Sequence, residues 1–222
     1  MSSTFVIGDV HGCYHTLMNL VDKLPKDADL IFVGDLCDKG LYTKEVIEFV
    51  KSNNYRCVLG NHDVHMILNL ENALNGIDST WSKNKKFSGY TTVNSYKKAT
   101  RLIVKEHIAW LKSLPHCIKI EKFLITHGFG LPFYKSKLKK REFYMRVNRI
   151  SNTTYNQFYE KDYEKYDIIN IFGHDAFNEV LVGKNYYGID TNCKNGNKLT
   201  AIELGSMKII DVKTNRKDLN NE

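Results

Sequence analysis

Near the start of this sequence, an apolar run is followed at once by residues that can bind a metal ion. Residues 5–7 are aromatic or β-branched, which is typical of a buried strand, and the run stops at Gly8. Asp9 and His11 come next, and residues at this spacing can point to the same side and offer an oxygen and a nitrogen to one cation. This triplet alone is a weak signal, because similar triplets are common in ordinary turns.

The same arrangement recurs along the chain, since other short apolar runs also end at residues able to bind a metal. These residues are Asp35, Asn61, His62, His127 and His174. Carboxylate oxygens, an amide oxygen and neutral imidazoles form the mixed set of ligands suited to manganese, iron or zinc in a site with two metal ions. So many repeats after apolar strands are hard to explain by packing alone.

The alternation of strands and helices predicts where these residues meet. Strands are predicted over 30–33 and 55–59, and amphipathic helices over 14–24, 43–52 and 63–74. Strands that alternate with helices are expected to be parallel neighbours, with their carboxyl ends along one edge of a sheet. That edge is where α/β proteins bind ligands.

The later part of the chain is predicted to hold further strands, over 118–126 and 168–172, and several short strands over 180–212. Two polar, lysine-rich segments, 75–114 and 130–165, are expected to be cap-like excursions, and the sequence gives the first of them no chemical role. From residue 213 to residue 222 we expect a polar, mobile tail. The length is sufficient for one domain over residues 1–222.

Composition limits the classes of partner and compartment. The formal charge of +7 and the pI near 9.0 favour an anionic partner, but they do not choose between a phosphoester, a nucleic acid and a membrane surface. The five cysteines are widely spaced without a CxxC pair, which favours reduced thiols in a cytoplasm. We also expect no signal peptide and no membrane span, so a soluble cytoplasmic protein is predicted.

Taken together, five motifs resemble the signature of the metallophosphoesterase superfamily, and more narrowly of the phosphoprotein phosphatase family in its small bacterial and phage form. They are GDVHG at 8–12, GDLCDKG at 34–40, GNHD at 60–63, HG at 127–128 and GH at 173–174. The segment 187–204 is similar to the strand-turn-strand that follows the last metal histidine in that family. The resemblance implies an α/β metallophosphoesterase fold, with a central mixed β-sandwich flanked by helices and a dimetal site at the carboxyl ends of strands.

The resemblance also implies a cofactor of two divalent ions. Mn²⁺ is favoured, with Fe, Zn, Ni and Co as alternatives. One ion would be bound by Asp9, His11 and Asp35, and the other by Asp35, Asn61, His127 and His174, so that Asp35 bridges the two. Such a pair of cations acidifies a shared water and yields a hydroxide that attacks phosphorus directly.

Further residues receive roles from the same resemblance. His62 would protonate the leaving group, and Asp38 would hold its ring in the required tautomer. Lys39, Arg146 and Asn61 are the candidates for binding the substrate phosphate, with Arg149 as a second candidate beside Arg146. Lys39 stands where the family commonly has arginine, so it keeps the charge but loses a bidentate contact.

Two other departures concern positions near the metal motifs. Leu59 stands where protein phosphatases often have arginine, so one phosphate contact is missing. The last motif continues with Asp175 instead of the usual threonine, which is expected to change the surroundings of His174.

The favoured function is a phosphomonoesterase, most simply a serine/threonine or dual-specificity protein phosphatase acting on phosphorylated proteins or small phosphoesters. An alternative is a symmetrical dinucleoside-tetraphosphate hydrolase, because VLGNHDVHMI at 58–67 resembles those enzymes, which also lack the arginine before GNH. A nucleic-acid end phosphatase is a further alternative, since basic and aromatic residues interleave over 135–149. A phosphate-binding module without activity is the weakest alternative. No membrane partner is expected.

Overall fold

The computed structural model describes residues 3–152, 156 and 162–219. The strands of this described part are β1 (Thr4–Ile7), β2 (Asp29–Phe32), β3 (Arg56–Cys57), β4 (Cys117–Ile120), β5 (Phe123–Thr126), β6 (Ile169–Phe172), β7 (Leu181–Val182), β8 (Tyr186–Gly188), β9 (Lys198–Glu203) and β10 (Ile209–Lys213). The α-helices are α1 (Tyr14–Val21), α2 (Thr43–Ser52), α3 (Asn61–Leu74), α4 (Thr80–Lys83), α5 (Gly89–Tyr96), α6 (Arg101–Ser113) and α7 (Arg141–Val147).

The strands form two five-stranded mixed sheets. The first has the order β10-β9-β1-β2-β3, and the second has the order β4-β5-β6-β8-β7. As predicted from the alternation of strands and helices, β1, β2 and β3 are parallel neighbours. In the second sheet β5 and β6 are also parallel, whereas β4 is antiparallel to β5.

The two sheets pack face to face, because strands of both contribute to one buried apolar cluster. Val6 and Ile31 of the first sheet belong to this cluster with Ile125 and Ile171 of the second, and all four are fully buried. Successive residues of a strand face opposite sides, so Ile7 packs instead against the helices that cover the first sheet. This is the predicted mixed sandwich flanked by helices.

Two apolar clusters cover the outer faces of the sandwich. On the first sheet, helices α1, α2, α3 and α6 supply buried side chains, among them Leu17, Val46, Met66 and Ile108. On the second sheet, the loop after β5 and helix α7 supply Phe129, Phe133 and Met145. The parallel strands are therefore held from both sides, and their carboxyl-end loops are left to build a site.

Two predicted strands differ from those observed. The strand predicted over 55–59 is reduced to β3, because its later residues already turn towards α3, which begins at Asn61. The single strand predicted over 118–126 is an antiparallel hairpin of β4 and β5, with Glu121 in a left-handed conformation at φ +49° in the turn. The turn was missed because apolar residues lie on both sides of Glu121 and Lys122, so the segment was taken as one strand.

The prediction of a mobile tail from residue 213 is wrong for residues 214–219. Asp218 is fully buried and accepts hydrogen bonds from the backbone N–H groups of His15 and Thr16, at 2.9 and 2.7 Å, and from the Thr16 hydroxyl at 2.6 Å. A carboxylate at this position satisfies the free N–H groups of the α1 N-terminus and complements the helix dipole. Residues 220–222 lie outside the described part of the chain.

The two segments that the sequence predicted to be excursions contain helices. The segment 75–114 consists mainly of α4, α5 and α6, and the described part of the segment 130–165 contains α7. Residues 153–155 and 157–161 of the second segment lie outside the described residues. Over the described ranges, the structure contains no helix that combines the length and the apolar character needed to cross a membrane.

Candidate active site

The loops after β1, β2, β5 and β6 and the first turn of α3 bring the six predicted metal ligands together. Asp35 lies at the centre of the group. Its Oδ2 lies 3.5 Å from His11 Nε2, and its Oδ1 lies 3.3 Å from His127 Nε2. Asp9 Oδ2 lies 4.0 Å from His11 Nε2, and Asn61 Oδ1 lies 2.9 Å from His127 Nε2. One carboxylate therefore reaches both halves of the cluster.

His174 completes the cluster next to Asp9 and His127. Its ring centroid lies 5.1 Å from that of His127, and its backbone N–H donates to the Asp9 carboxylate at 3.1 Å. The chain approaches Asp9 this closely only because residue 173 is glycine. A Cβ atom on Gly173 would lie 1.9 Å from Asp9 Oδ1.

Backbone carbonyl groups fix the orientation of two of the imidazoles. His11 Nδ1 donates to the carbonyl oxygen of Cys37 at 2.8 Å, and His127 Nδ1 donates to that of Val33 at the same distance. Because Nδ1 of each ring faces a carbonyl oxygen, Nε2 is the nitrogen that points into the cluster and would bind a metal ion. This is the usual way in which a protein fixes the tautomer of a metal-binding histidine.

The electrostatics of the cluster fit the binding of cations. Burial and the nearby Asp190 carboxylate raise the pKa of Asp9 well above its usual value. Burial alone would lower the pKa of His127, but the adjacent Asp35 carboxylate raises it to about 9. Buried negative charge is thus concentrated here, and a divalent cation would neutralise it more fully than a protonated imidazole does.

His174 is suited to bind a cation as a neutral imidazole. Burial and the positive form of His127 lower the pKa of His174 to about 3. The set of carboxylates, amide oxygen and neutral imidazoles fits two divalent ions with Asp35 between them. Among the described residues, two groups of three could each hold a metal ion, and both include Asp35. One group is His11, Asp35 and His62, and the other is Asp9, Asp35 and His127. The assignment of each ligand stays a prediction.

Asp63, the last residue of the GNHD motif, has a role that sequence reasoning missed. Its carboxylate is fully buried and accepts the backbone N–H groups of Asp35, Leu36 and Gly60 at 2.9, 3.0 and 2.9 Å. Burial and the Asp35 carboxylate raise the pKa of Asp63 to about 6. Asp63 therefore joins α3 to the loop that carries Asp35.

His62 and Asp38 form the predicted pair. Nδ1 of His62 donates to Oδ2 of Asp38 at 2.6 Å, which leaves Nε2 free to face a substrate. Burial lowers the pKa of His62, but the nearby Asp35 and the hydrogen bond to Asp38 raise it above its usual value. An imidazole in this state can hold a proton near neutral pH and donate it.

The segment 75–114, for which no chemical role was predicted, contacts Asp38 directly. Trp81 Nε1 donates to Asp38 Oδ2 at 2.9 Å, and the Thr92 hydroxyl donates to Asp38 Oδ1 at 2.7 Å. No motif marks these two residues, because their partner lies about fifty residues away in the chain. The segment 75–114 is thus part of the surroundings of the candidate catalytic pair.

A cavity of about 210 Å³ opens over the cluster and is lined by His11, Asp35, Asn61, His62 and His174. Three cationic side chains also line it, namely Lys39, Arg149 and Lys194. Lys194 Nζ donates to Asp190 Oδ2 at 2.8 Å, and its side chain is only 15% exposed. Sequence reasoning missed Lys194, because it lies in a polar turn without a recognisable motif.

The arginine candidates occupy different places. Arg149, the second candidate, lines the cavity, and its Nη1 donates to Asp175 Oδ1 at 2.5 Å. The aspartate after the last GH motif thus positions an arginine at the site. Arg146 is not among the residues that line this cavity, and its Nη1 lies 3.3 Å from His116 Nδ1. Arg149 is therefore better placed than Arg146 to meet a phosphate.

The basic stretch 135–149 is only partly available to a partner. Its four lysines, Lys135, Lys137, Lys139 and Lys140, are exposed. Arg141, in contrast, donates to the backbone carbonyl groups of Phe133 and Tyr134 at 2.9 and 3.1 Å, so it supports the local fold. The lysine charge of this stretch is therefore open to a partner, whereas Arg141 is partly used within the fold.

The sandwich, the convergent loops and the donor set together define a metallophosphoesterase. Residues 3–203 match the calcineurin-like phosphoesterase family, and the chain belongs to that family. The predicted superfamily and fold class are thereby confirmed. The family implies hydrolysis of phosphoester bonds at a site with divalent metal ions.

A curated relative from Buchnera aphidicola subsp. Baizongia pistaciae is named a symmetrical bis(5'-nucleosyl)-tetraphosphatase. It is 29% identical over 181 residues, which cover 75% of this chain and 58% of that protein. A relative of the same name from Pasteurella multocida is 31% identical over 73% of this chain and 57% of its own length. The chain thus spans less than two thirds of the length of these relatives. Their name corresponds to the alternative considered above and not to the favoured protein phosphatase.

A solved structure described as a putative diadenosine tetraphosphatase is similar to the whole fold. Its TM-score is 0.69 at 20% identity, and the match covers 97% of this chain and 95% of that chain. At this level of identity the likeness concerns the fold alone.

Proposed function

We propose that the protein is a dimetal-dependent hydrolase whose preferred substrate is a dinucleoside polyphosphate, cleaved symmetrically. The relatives named above support this choice of substrate. The observation that carries it is the set of three cations, Lys39, Arg149 and Lys194, around one small cavity. A single phosphoryl group needs fewer positive partners than a chain of four phosphates does, and cationic side chains stabilise phosphates most where water is excluded.

The proposed mechanism assigns a task to each part of the cavity. Two divalent ions, bound by Asp9, His11, Asp35, Asn61, His127 and His174, would lower the pKa of a bound water and neutralise charge on the phosphoryl group. The Asp35 carboxylate lies between the two halves of the cluster, and Asp63 holds the Asp35 backbone in place. Lys194, fixed by Asp190, and Arg149, fixed by Asp175, face the phosphates that do not react.

The identity of the leaving group decides whether His62 is needed. A nucleoside diphosphate leaves as a phosphate with a pKa of about 6, so it departs without a proton. A serine alkoxide is far more basic and requires a general acid. Cleavage of a dinucleoside polyphosphate would therefore proceed with only modest help from His62.

The His62–Asp38 pair favours a second candidate function, hydrolysis of phosphomonoesters such as phosphoserine. The 2.6 Å hydrogen bond and the full burial of Asp38 describe a group prepared to donate a proton. That capacity is of most use when the leaving group is an alkoxide. One site could thus accept both an anhydride and an ester, at different rates.

The metal and the compartment are proposed on separate grounds. Three of the six ligands are imidazoles, which favours Mn²⁺ or a similar transition ion. Mg²⁺ is less suited, because it prefers oxygen ligands and retains several bound waters. All five cysteines are free thiols, and we therefore place the protein in a reducing cytoplasm.

The test is a comparison of kcat/KM with Mn²⁺ on three substrates: diadenosine tetraphosphate, a phosphoserine peptide and an oligonucleotide with a 5′-phosphate. The proposal expects the highest value on the tetraphosphate, with ADP as the only nucleotide product. A higher value on the peptide would favour the second candidate, and a higher value on the oligonucleotide would favour an end phosphatase. Formation of ATP and AMP would contradict symmetrical cleavage.

A further inference from the structure

We propose that Trp81 and Thr92 are positioning residues: they hold Asp38, and through it His62, in the orientation that protonates an alkoxide leaving group. This inference rests on the general-acid role proposed for His62. It gives the segment 75–114 a function, namely to make the site competent for phosphomonoesters of alcohols.

The Asp38 carboxylate is held by three side chains. Oδ2 accepts the His62 ring N–H at 2.6 Å and the Trp81 indole N–H at 2.9 Å, and Oδ1 accepts the Thr92 hydroxyl at 2.7 Å. Asp38 is fully buried, so no water competes for these positions. Rotation of the carboxylate would break at least one of the two contacts to the excursion. Trp81 and Thr92 therefore orient the His62 ring through the Asp38 carboxylate.

Thr92 also holds the backbone of Asp38. Its Oγ1 accepts the Asp38 backbone N–H at 2.9 Å. Because the single hydroxyl proton of Thr92 is used on Asp38 Oδ1, the Thr43 hydroxyl, 3.1 Å away, must donate to Thr92. One hydroxyl thus fixes both the main chain and the side chain of Asp38, which a serine could also do and a valine could not.

The held loop has a conformation that requires such support. Asp38 and Lys39 both have positive φ angles, +70° and +67°, which cost free energy in residues other than glycine. The excursion contacts this loop again where Lys39 Nζ donates to the carbonyl oxygen of Lys86. Strained residues persist where the surrounding contacts hold them, and here those contacts come from the segment 75–114.

Close packing fixes Trp81 itself. Its side chain is 3% exposed, and Gly89 of α5 makes room for the indole, since a Cβ atom there would lie 2.4 Å from Trp81 Cε2. The indole N–H therefore has little freedom to leave Asp38. A rigid donor preserves the geometry of a catalytic pair better than a mobile one does.

The test compares Trp81→Phe and Thr92→Val with matched controls. Trp110→Phe removes the other tryptophan, which is half-buried on α6 and packs against the helical side of the core. Thr91→Val changes the neighbouring buried threonine, whose hydroxyl donates to the Ser88 carbonyl oxygen. Thr92→Ser is the conservative variant expected to restore activity. Thermal unfolding confirms that each variant is folded.

Turnover is measured on two monoesters, a phosphoserine peptide and 4-nitrophenyl phosphate, whose phenolate leaves without a proton. Trp81→Phe and Thr92→Val are expected to lower kcat on the peptide by about tenfold or more, with KM unchanged, because general acids contribute about 10²- to 10⁴-fold. On 4-nitrophenyl phosphate kcat should change by less than about threefold. The controls and Thr92→Ser should resemble the wild type on both substrates.

A second readout does not depend on turnover. The proton between His62 Nδ1 and Asp38 should give a far-downfield ¹H NMR signal in Zn²⁺-loaded protein, and Trp81→Phe and Thr92→Val should shift or broaden it while Thr91→Val does not. Equal losses on both substrates, unchanged activity, or an unchanged proton signal would overturn the inference. Wild-type protein that cleaves the tetraphosphate but no phosphoserine would overturn it too, while leaving the proposed function intact.

Discussion

The carboxylate of Asp63 accepts the backbone N–H of Asp35 at 2.9 Å, so the first turn of α3 is bonded to the loop that carries the central residue of the cluster. The same carboxylate also accepts the N–H groups of Leu36 and Gly60. The motif GNHD therefore supplies a candidate ligand, a candidate acid and the residue that aligns two strand-end loops. Three of its four residues therefore have different physical tasks.

Asp63→Asn should weaken metal binding and lower stability. The amide replaces one acceptor oxygen with an N–H₂ group, which would face backbone donors and leave at least one buried N–H without a partner. Such a loss costs about 1 to 3 kcal/mol. Calorimetric titration with Mn²⁺ and thermal unfolding measure the two effects. Glu71→Gln, an exposed change on the same helix, is the control, and an effect of equal size there would refute the account.

His62→Asn should separate the two candidate substrates. The metal ligands remain, so bound metal should be unchanged, whereas kcat on a phosphoserine peptide should fall by about 10²- to 10⁴-fold. Cleavage of diadenosine tetraphosphate should fall much less, since its leaving group needs no proton. Single-turnover rates on both substrates check this expectation. A wild-type rate on the peptide would show that His62 is not the acid.

Lys194→Met should weaken the binding of a substrate with several phosphates more than the binding of a substrate with one phosphate. The substitution keeps the apolar stem and removes the ammonium group that lines the cavity. We expect KM for diadenosine tetraphosphate to rise by about tenfold, which corresponds to about 1.4 kcal/mol, and KM for 4-nitrophenyl phosphate to stay within about threefold. Lys198→Met, a change at a cation that pairs with Glu179 and Asp211, is the matched control. Equal rises on both substrates would argue against a role for Lys194 in binding distal phosphates.

His107 should make folding stability depend on pH independently of the metal site. Its ring is fully buried: Nδ1 accepts the Tyr96 hydroxyl at 2.6 Å and Nε2 donates to Glu48 at 2.7 Å, an arrangement that fits a neutral imidazole. Burial lowers the pKa of His107 more than Glu48 raises it. The unfolded chain therefore binds this proton more readily, and stability should fall as the pH drops below about 6.5.

The measurement is urea unfolding at pH 7.5 and pH 5.5 for the wild type and for His107→Gln, which keeps a donor and an acceptor but does not titrate. The free energy of unfolding of the wild type should exceed that of His107→Gln by less at pH 5.5 than at pH 7.5. The difference should shrink by at most about 1.4 kcal/mol per pH unit for one proton. An advantage that grows on acidification would show that His107 is protonated in the folded protein.

The sequence indicated which residues lie close together, because most of them follow an apolar strand and strand ends are visible as a change from apolar to polar residues; their roles as metal ligands stay a prediction. It could not predict Trp81 and Thr92 as partners of Asp38, since side chains of an excursion meet the loop only after the domain has folded. Lys194 was missed because it lies in a polar turn without a recognisable motif. The burial of Asp218 was missed because its partner, the start of α1, lies two hundred residues earlier in the chain.

The central claim is that two divalent ions are held by one shared group of side chains with Asp35 between them. The most direct measurement is the number of Mn²⁺ ions retained per chain after gel filtration, for the wild type and for Asp35→Asn. The account predicts two ions in the wild type, and in Asp35→Asn the loss of bound metal together with the loss of turnover. Wild-type activity in metal-free, chelator-treated protein, or full metal retention by Asp35→Asn, would contradict it.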